Sequence, residues 1–283
     1  MEPVARLLAA SGLPAAEARA LLAELLGVTR ETLIAHPELP VGSNGAVRFA
    51  DLARQRRAGV PLAYLLGYRE FYGRRFAVSP AVLVPRPETE LLIDLICEHS
   101  LSHEGLKILD LGTGSGCLAI TLALELRAAD VTAADVSPEA LAVAAENGRA
   151  LGASIRWIVS DWTRQLPADA RGFDVIVANP PYIARGDPHL PALRDEPAGA
   201  LVAGEDGLDD LRAIVAQAPD RLAAGGLIAL EHGATQGAAV RALAAAAGLA
   251  RIETRRDGAG LERACLAWQS DVNLWVTPVG LPR

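Results

Sequence analysis

Beyond residue 80, short apolar runs at 108–111, 131–135, 156–160, 174–178 and 227–231 alternate with segments of helical spacing. Strands separated by helices must be joined by crossovers, so this pattern confines the chain to an α/β fold, a mainly parallel sheet with helices on both faces. Two last runs, 250–254 and 263–268, flank the turn sequence Asp257-Gly258-Ala259-Gly260, which predicts an antiparallel pair. The first sixty residues differ in texture. Ala18, Leu21, Leu22 and Leu25 fall on one helical face after Pro14, and Gly27 stops that helix. Thr29 is placed to cap a second helix, and 46–57 suggest a third before Gly59-Val60-Pro61. This is a small helical bundle. Aromatic and β-branched residues from 68 to 84, broken by Gly73 and Pro80, suit a linking hairpin. The expected division is a bundle over 1–75 and an α/β domain over 76–283, with a tail from 269 that shows no clear period.

With 283 residues, 51% of them apolar and 22% charged, the chain has material for a folded core in two domains. Its apolar stretches, such as 118–126 and 242–249, fall far short of the ~20 residues that cross a bilayer, so no membrane span is expected. Met1-Glu2-Pro3 opens without a basic segment and apolar core, so nothing marks the chain for secretion and the cytoplasm is the expected location. Cys97, Cys117 and Cys265 stand far apart and read as small buried apolar residues; the histidines at 36, 99, 103, 189 and 232 lack ligand spacing, and no metal is expected. The net charge of −7 argues against broad attraction to a phosphate backbone. Charge is uneven, however: residues 1–80 hold ten arginines and seven acids. The cluster Arg54, Arg56, Arg57, Arg69, Arg74 and Arg75 is either a solvated helix face or a surface for an acidic partner.

The run at 108–111 leads directly into Gly112-Thr113-Gly114-Ser115-Gly116, and an apolar helix follows over 117–126. Glycines permit close backbone approach and the helix N-terminus presents unpaired N–H groups, so this is a ligand loop at a strand's carboxyl end. The next strand ends at Asp135, 19 residues past Gly116, where a carboxylate can accept both hydroxyls of a ribose. A dinucleotide enzyme would share these features. Two details favour S-adenosylmethionine, a cationic sulfonium without phosphate. Asp110, just before the loop, suits an amino group better than a pyrophosphate, and Ser160-Asp161-Trp162 offers an adenine a hydrogen bond and an apolar cover.

Asn179-Pro180-Pro181-Tyr182 begins where the fourth strand ends, in the crevice where open α/β sheets bind ligands. The Asn179 side-chain oxygen and the Pro180 carbonyl can accept both hydrogens of one –NH₂ group, the fixed φ of Pro180 and Pro181 limits their movement, and the Tyr182 ring can cover a planar group. Amide and aromatic amino nitrogens are poor nucleophiles because their lone pairs are delocalised. Two fixed acceptors aim the nitrogen at a methyl donor and stabilise the positive charge that develops. No strong base is required.

Together these residues resemble the HemK/PrmC-type protein glutamine N(5)-methyltransferases. The resemblance runs to about residue 268 and includes Gly67-Tyr68-Arg69-Glu70-Phe71-Tyr72-Gly73, Pro85-Arg86-Pro87-Glu88-Thr89-Glu90, the loop from Asp110 to Gly116, Ser160-Asp161-Trp162, Asn179-Pro180-Pro181-Tyr182 and Glu196-Pro197. It implies a Rossmann-like seven-stranded S-adenosylmethionine-dependent methyltransferase domain behind a helical N-terminal domain that helps grip its protein substrate. It implies that Gly112, Thr113, Gly114, Ser115, Gly116, Asp135, Trp162 and Asn179 bind the cofactor, whose product is S-adenosyl-L-homocysteine. Asn179, Pro180, Pro181 and Tyr182 would hold a glutamine amide. The implied partner is a class-1 peptide-chain release factor, modified on its Gly-Gly-Gln loop, and Asp187-Pro188-His189-Leu190 resembles this branch more than the relatives that modify a ribosomal protein. The residues alone leave open an adenine-amino methyltransferase acting on DNA or RNA, which the acidic net charge and lack of a nucleic-acid module disfavour.

Overall fold

The computed structural model of the chain describes residues 1–100 and 104–269. The tail singled out in the sequence lies, from 270 onward, outside the described residues, as does His103. The N-terminal bundle runs β1 (Glu2–Pro3), α1 (Val4–Ala10), α2 (Ala15–Leu26), α3 (Arg30–Ala35), β2 (Pro40–Val41), α4 (Ser43–Arg57) and α5 (Leu62–Leu66). Helix α2 buries Ala18, Leu21 and Leu22 against Val4, Leu33 and Phe49, so the helical stripe is core. Gly27 ends α2 in the left-handed region at φ 66°, and the Thr29 hydroxyl caps α3 by accepting from the Thr32 N–H at 3.2 Å. Helix α5 escaped the sequence pattern: five residues are too few to show a period, and Pro61 caps a helix here as well as breaking one.

The arginine cluster is largely occupied inside the chain. Arg54 pairs with Asp51, Arg56 grips both oxygens of Glu17 at 2.7 and 3.1 Å, and Arg57 donates to the Ser11 carbonyl. Arg74 pairs with Glu125 at 2.5 Å, and Arg75 lies 4.0 Å over the Tyr68 ring. Pairing with acids inside the chain takes up three of the six charges in the cluster.

A hairpin follows, β3 (Tyr68–Phe71) and β4 (Arg74–Ala77), closed by Tyr72 and Gly73 at φ 48° and 70°. Phe71 and Phe76 meet edge to face at 6.0 Å and are buried in the core of the large sheet, not in the bundle. A division at residue 75 cuts through β4, and we place it at Gly67, where the bundle's last helix ends.

The α/β domain continues through α6 (Glu90–Ser100), β5 (Lys107–Leu111), α7 (Cys117–Glu125), β6 (Asp130–Asp135), α8 (Pro138–Leu151), β7 (Ile155–Val159), β8 (Phe173–Ala178), α9 (Asp209–Gln217), β9 (Leu222–Glu231), α10 (Gly237–Ala246), β10 (Ala250–Arg256) and β11 (Glu262–Trp268). One seven-stranded sheet results, in the order β10-β11-β9-β8-β5-β6-β7. All neighbours between β9 and β7 are parallel, and β11 alone is reversed, antiparallel to both β9 and β10. Side chains alternate between the two faces. Ile108, Val131, Val175, Val177 and Ala229 join one core with α6 and α7, while Leu109, Leu111, Ile176, Ala178 and Leu230 join the other with α9 and α10. Burial on both faces explains the unbroken apolar runs.

Asn147, buried in α8, fastens hairpin, helix and glycine loop together. Its Oδ1 accepts from the Ala77 N–H at 2.7 Å, and its Nδ2 donates to the carbonyls of Ala77 and Ser115 at 3.0 and 2.9 Å. Truncation leaves buried backbone groups without partners. Asn147→Ala is expected to lower unfolding stability by about 3 kcal/mol, read from urea denaturation; a loss under about 0.5 kcal/mol would show that the hairpin is held by packing alone.

Candidate active site

The register of the sheet sets the site. Leu111 pairs with Ala134 on one side and Ala178 on the other, Ala178 with Leu230, and Asp135 with Val159. The following row therefore places Gly112, Asp135, Asn179 and Glu231 side by side along the carboxyl edge. The chain leaves β5 toward β6 and leaves β8 toward β9, so the crossovers diverge and open a crevice between Gly112 and Asn179. A cavity of roughly 300 Å³ occupies it, lined by the loop residues Gly112, Thr113, Gly114 and Ser115, by Asp135, Asp161, Trp162, Asn179 and Pro181, and by segments near 81–86 and 197–200. A second cavity of about 200 Å³ adjoins it, lined by Asn179, Pro180, Tyr182, Leu83, Arg86 and Leu201. Asn179 and Arg86 belong to both.

Gly112, at φ 71°, lets the Trp162 ring close over the loop: a Cβ there would stand 3.1 Å from the ring. Trp162 itself turns back at φ 52°, held by the Ser160 hydroxyl donating to its carbonyl at 2.7 Å. Asp135 accepts from the Gly114 and Ser137 N–H groups, both at 2.9 Å, which aims the carboxylate at the cavity with lone pairs to spare. Burial raises its pKa, against those backbone donors. Asp161 is already paired with Arg164 at 2.6 Å, an ion-pair partner that its sequence position did not suggest.

Four of the expected residues stand outside the larger cavity's lining: Asp110, Gly116, Pro180 and Tyr182. Asp110 is fully buried beneath the loop. Its Oδ2 accepts from the Thr113 hydroxyl at 2.6 Å and the Ala119 N–H at 3.2 Å, so it shapes the loop and the start of α7, while Oδ1 has no hydrogen-bond partner among the described residues. Gly116 supports packing, since a Cβ would meet Ile120 at 2.9 Å and Ala144 at 3.1 Å. Pro180 and Tyr182 line the smaller cavity. Of the cysteines read as buried, Cys265 is, whereas Cys97 and Cys117 are half-buried and Cys117 borders the larger cavity.

Asn179 is held by a chain of hydrogen bonds. Its Nδ2 donates to the Thr89 hydroxyl at 2.9 Å, Thr89 donates to Glu231 Oε2 at 2.6 Å, and the Tyr182 hydroxyl donates to Glu231 Oε1 at 3.0 Å. Glu231 is wholly buried; burial raises its pKa, opposed by the Thr89 and Tyr182 hydroxyls and by Arg263. Beyond Tyr182 the chain is pinned by backbone pairing of Ile183 with 201–203, and by Gln236, whose Nε2 donates to the Tyr182 and Gly207 carbonyls at 3.0 Å each. Arg86 pairs with the buried Glu196 at 2.6 Å and braces the two outer walls. Thr89 and Glu196 belong to motifs that carry the resemblance, and Pro85, Arg86 and Thr89 border the larger cavity; sequence reading gave no site role to Asp210, Glu231 or Gln236. Glu231, a carboxylate closing the apolar run of β9, carried the one legible signal, because a buried group of that kind needs partners.

The charge around the larger cavity selects its ligand. Asp135 and Asp210 line it together with Asp161, which is paired with Arg164, and among the described residues the single basic lining residue, Arg86, is taken by Glu196. A pyrophosphate would be repelled; a cationic sulfonium with a ribose is matched. Such a site on a seven-stranded sheet with one reversed strand defines a Rossmann-like S-adenosylmethionine-dependent methyltransferase. The relatives of the chain narrow this class. Residues 3–67 match the PrmC N-terminal domain and 87–194 the Methyltransferase small domain. The chain is 49% identical over 259 residues to the release factor glutamine methyltransferase of Bordetella pertussis, covering 91% of this chain and 96% of that one. To the protein of that name from Burkholderia pseudomallei it is 47% identical over 268 residues, covering 92% and 94%. Its fold is also shared with the T. Thermophilus 16S rRNA N2 G1207 methyltransferase in complex with AdoMet and guanosine, at a TM-score of 0.55 and 21% identity over 72% of this chain and 50% of that one. The chain belongs to the release factor glutamine methyltransferase family.

Burial lifts the Asp110 carboxyl from 3.8 to about 7, against the Thr113 and Ala119 hydrogen bonds. Because the folded state keeps this proton where the unfolded chain has lost it, the contribution to stability is complete below pH ~4 and disappears as pH rises through ~7. Asp110→Asn, which cannot ionise, should gain on the unsubstituted cofactor-free protein between pH 5 and 8 by on the order of a few kcal/mol. Parallel denaturation midpoints across that range would contradict this account.

Proposed function

We propose that the protein transfers a methyl group from S-adenosylmethionine to the side-chain amide nitrogen of the glutamine in the Gly-Gly-Gln loop of class-1 peptide-chain release factors. The observation that carries the reading is the position of Asn179 at the junction of two cavities, with its Nδ2 turned away to Thr89. Its Oδ1 is thereby left to accept a hydrogen from a substrate –NH₂ group entering through the smaller cavity.

When bound, S-adenosylmethionine supplies an electrophilic methyl group on a sulfonium. The fit rests on the acidic lining and on the free lone pairs of Asp135 for a ribose. Asn179 Oδ1 and the Pro180 carbonyl would hold the two N–H bonds of the amide, and the Tyr182 ring would border it. These acceptors align the nitrogen and favour the positive charge that grows on it. Afterwards the methylated nitrogen loses its extra proton to water, so the site needs no base. No helix among the described residues is long and apolar enough to cross a membrane, and a release-factor substrate carries with it a cytoplasmic location.

The bundle, which matches the PrmC N-terminal domain over residues 3–67, would help grip the release factor, as the family resemblance implies. Ile34 and Val47 present 61% and 71% of their surface to solvent on two of its helices, so both can be changed without disturbing its core. Replacing both with Glu should raise KM for an intact release factor about tenfold while leaving turnover of a short Gly-Gly-Gln peptide alone. Equal effects on both substrates would remove the bundle from recognition.

The central test is mass spectrometry of a release factor incubated with enzyme and labelled methyl donor. One methyl group on the Gly-Gly-Gln glutamine is the expected product; label found only in added DNA or RNA would overturn the reading. Asn179→Ala should cut kcat by about 10²–10³ while leaving a folded protein, as the loss of one fixed transition-state partner does.

A further inference from the structure

We propose that Thr89 and Glu231 are positioning residues that decide which end of the Asn179 amide faces the substrate. The inference rests on the reading of Asn179 as the acceptor for the substrate amide, and adds what makes it an acceptor there.

An asparagine amide is nearly symmetrical in shape, with a hydrogen-bond acceptor at one end and a donor at the other. Packing alone distinguishes the ends poorly. Turned the wrong way, Asn179 would present N–H to N–H and repel the group it is meant to hold. The surroundings remove that choice. A carboxylate only accepts, and both oxygens of Glu231 are engaged by hydroxyls: Oε2 by Thr89 at 2.6 Å and Oε1 by Tyr182 at 3.0 Å. Thr89 has one hydroxyl hydrogen and spends it on Glu231, so Oγ1 offers only lone pairs to Asn179. The group facing it must therefore be the Asn179 –NH₂, at 2.9 Å, and the carbonyl end must point away. The polarity set at a carboxylate on β9 thus passes through one hydroxyl to the amide on the neighbouring strand β8.

Burial makes this relay one-directional. Thr89 is 2% exposed and Glu231 fully enclosed, so water does not compete for these groups. The same carboxylate also spends the Tyr182 hydroxyl, which fixes the ring beside the smaller cavity and leaves its oxygen hydrogen committed inward. Both residues of the Asn-Pro-Pro-Tyr motif that carry functional side chains are thereby set by a single acid. Their anchors come from two other stretches of chain, the turn Pro87–Thr89 and the end of β9.

The test compares Thr89→Val, which keeps shape but lacks the hydroxyl, with Thr89→Ser, which keeps the hydroxyl, and with Glu231→Gln, whose amide can donate to Thr89 and reverse the relay. For the full-length enzyme acting on a release factor, Thr89→Val should lower kcat about tenfold or more, the scale for losing an outer partner of a site residue. KM and the affinity for S-adenosylhomocysteine should stay within about twofold, and Thr89→Ser should regain kcat to within about threefold. Glu231→Gln should lose at least as much as Thr89→Val, and the double variant should be no worse than Glu231→Gln, because both act through one amide. Unchanged kcat in Thr89→Val and Glu231→Gln would overturn the relay, as would losses that Thr89→Ser fails to rescue or that follow the affinity for S-adenosylhomocysteine. A release factor left unmethylated by the unsubstituted enzyme would instead defeat the substrate reading. The relay is then decided by the side-chain amide NMR signals of Asn179 in the S-adenosylhomocysteine complex. Signals displaced in Thr89→Val and Glu231→Gln but not in Thr89→Ser uphold it; identical signals in all four proteins refute it.

Discussion

The hydrogen-bond register between β5 and β8 is the constraint on which the rest of the site depends. Because Leu111 pairs with Ala178, the residues that follow, Gly112 and Asn179, emerge at the same height on adjacent strands. The right-handed crossovers then carry the chain away in opposite directions, and the gap between them is where a ligand fits. A slip of one residue would turn the loop and the asparagine onto different faces, and every buried side chain on β5 with them. Register here is enforced by two cores at once, since Ile108 packs on one face and Leu109 and Leu111 on the other. A strand with only one buried face would tolerate such a slip more easily.

Around that gap the fold spends buried polar groups freely, and each has an architectural task. Asn147 ties the hairpin to α8 and the loop, Asp110 shapes the loop from beneath, Glu196 holds Arg86, and Glu231 holds Thr89 and Tyr182. These are costly placements, tolerated because every one holds a segment of irregular backbone that has no ladder of its own. The apolar parts of the domain make it stable, whereas the polar ones give its loops a single arrangement.

The α/β architecture was legible because strands buried on two faces are written as unbroken apolar runs, and the loop and the Asn-Pro-Pro-Tyr motif were legible because each lies contiguous in the chain. What was hidden depends on chain crossing. Thr89 and Glu231 stand 142 residues apart and meet only because their segments converge at the strand ends. Asp110 was visible but its direction was not: a residue inside a strand points to one face or the other according to register, and here it points under the loop. The pairing inside the basic cluster was hidden for a related reason, since Glu17, which takes Arg56, is 39 residues away in another helix.

The two kinds of residue also divide the chemistry. Groups proposed to touch a ligand, such as Asn179, Pro180 and the loop, sit at chain positions with restricted or glycine backbone, where few conformations are open. Groups that orient them are side chains with a single donor or with acceptors alone to spend, such as the Thr89 hydroxyl and the Glu231 carboxylate. An amide that reacts slowly because its lone pair is delocalised asks for geometry more than for acid or base strength. A rigid backbone motif set by a one-directional hydrogen-bond chain meets that requirement without a titrating group at the reacting atom. The buried acid therefore acts at a distance of one hydroxyl, where its charge fixes an orientation and leaves the nitrogen free to attack.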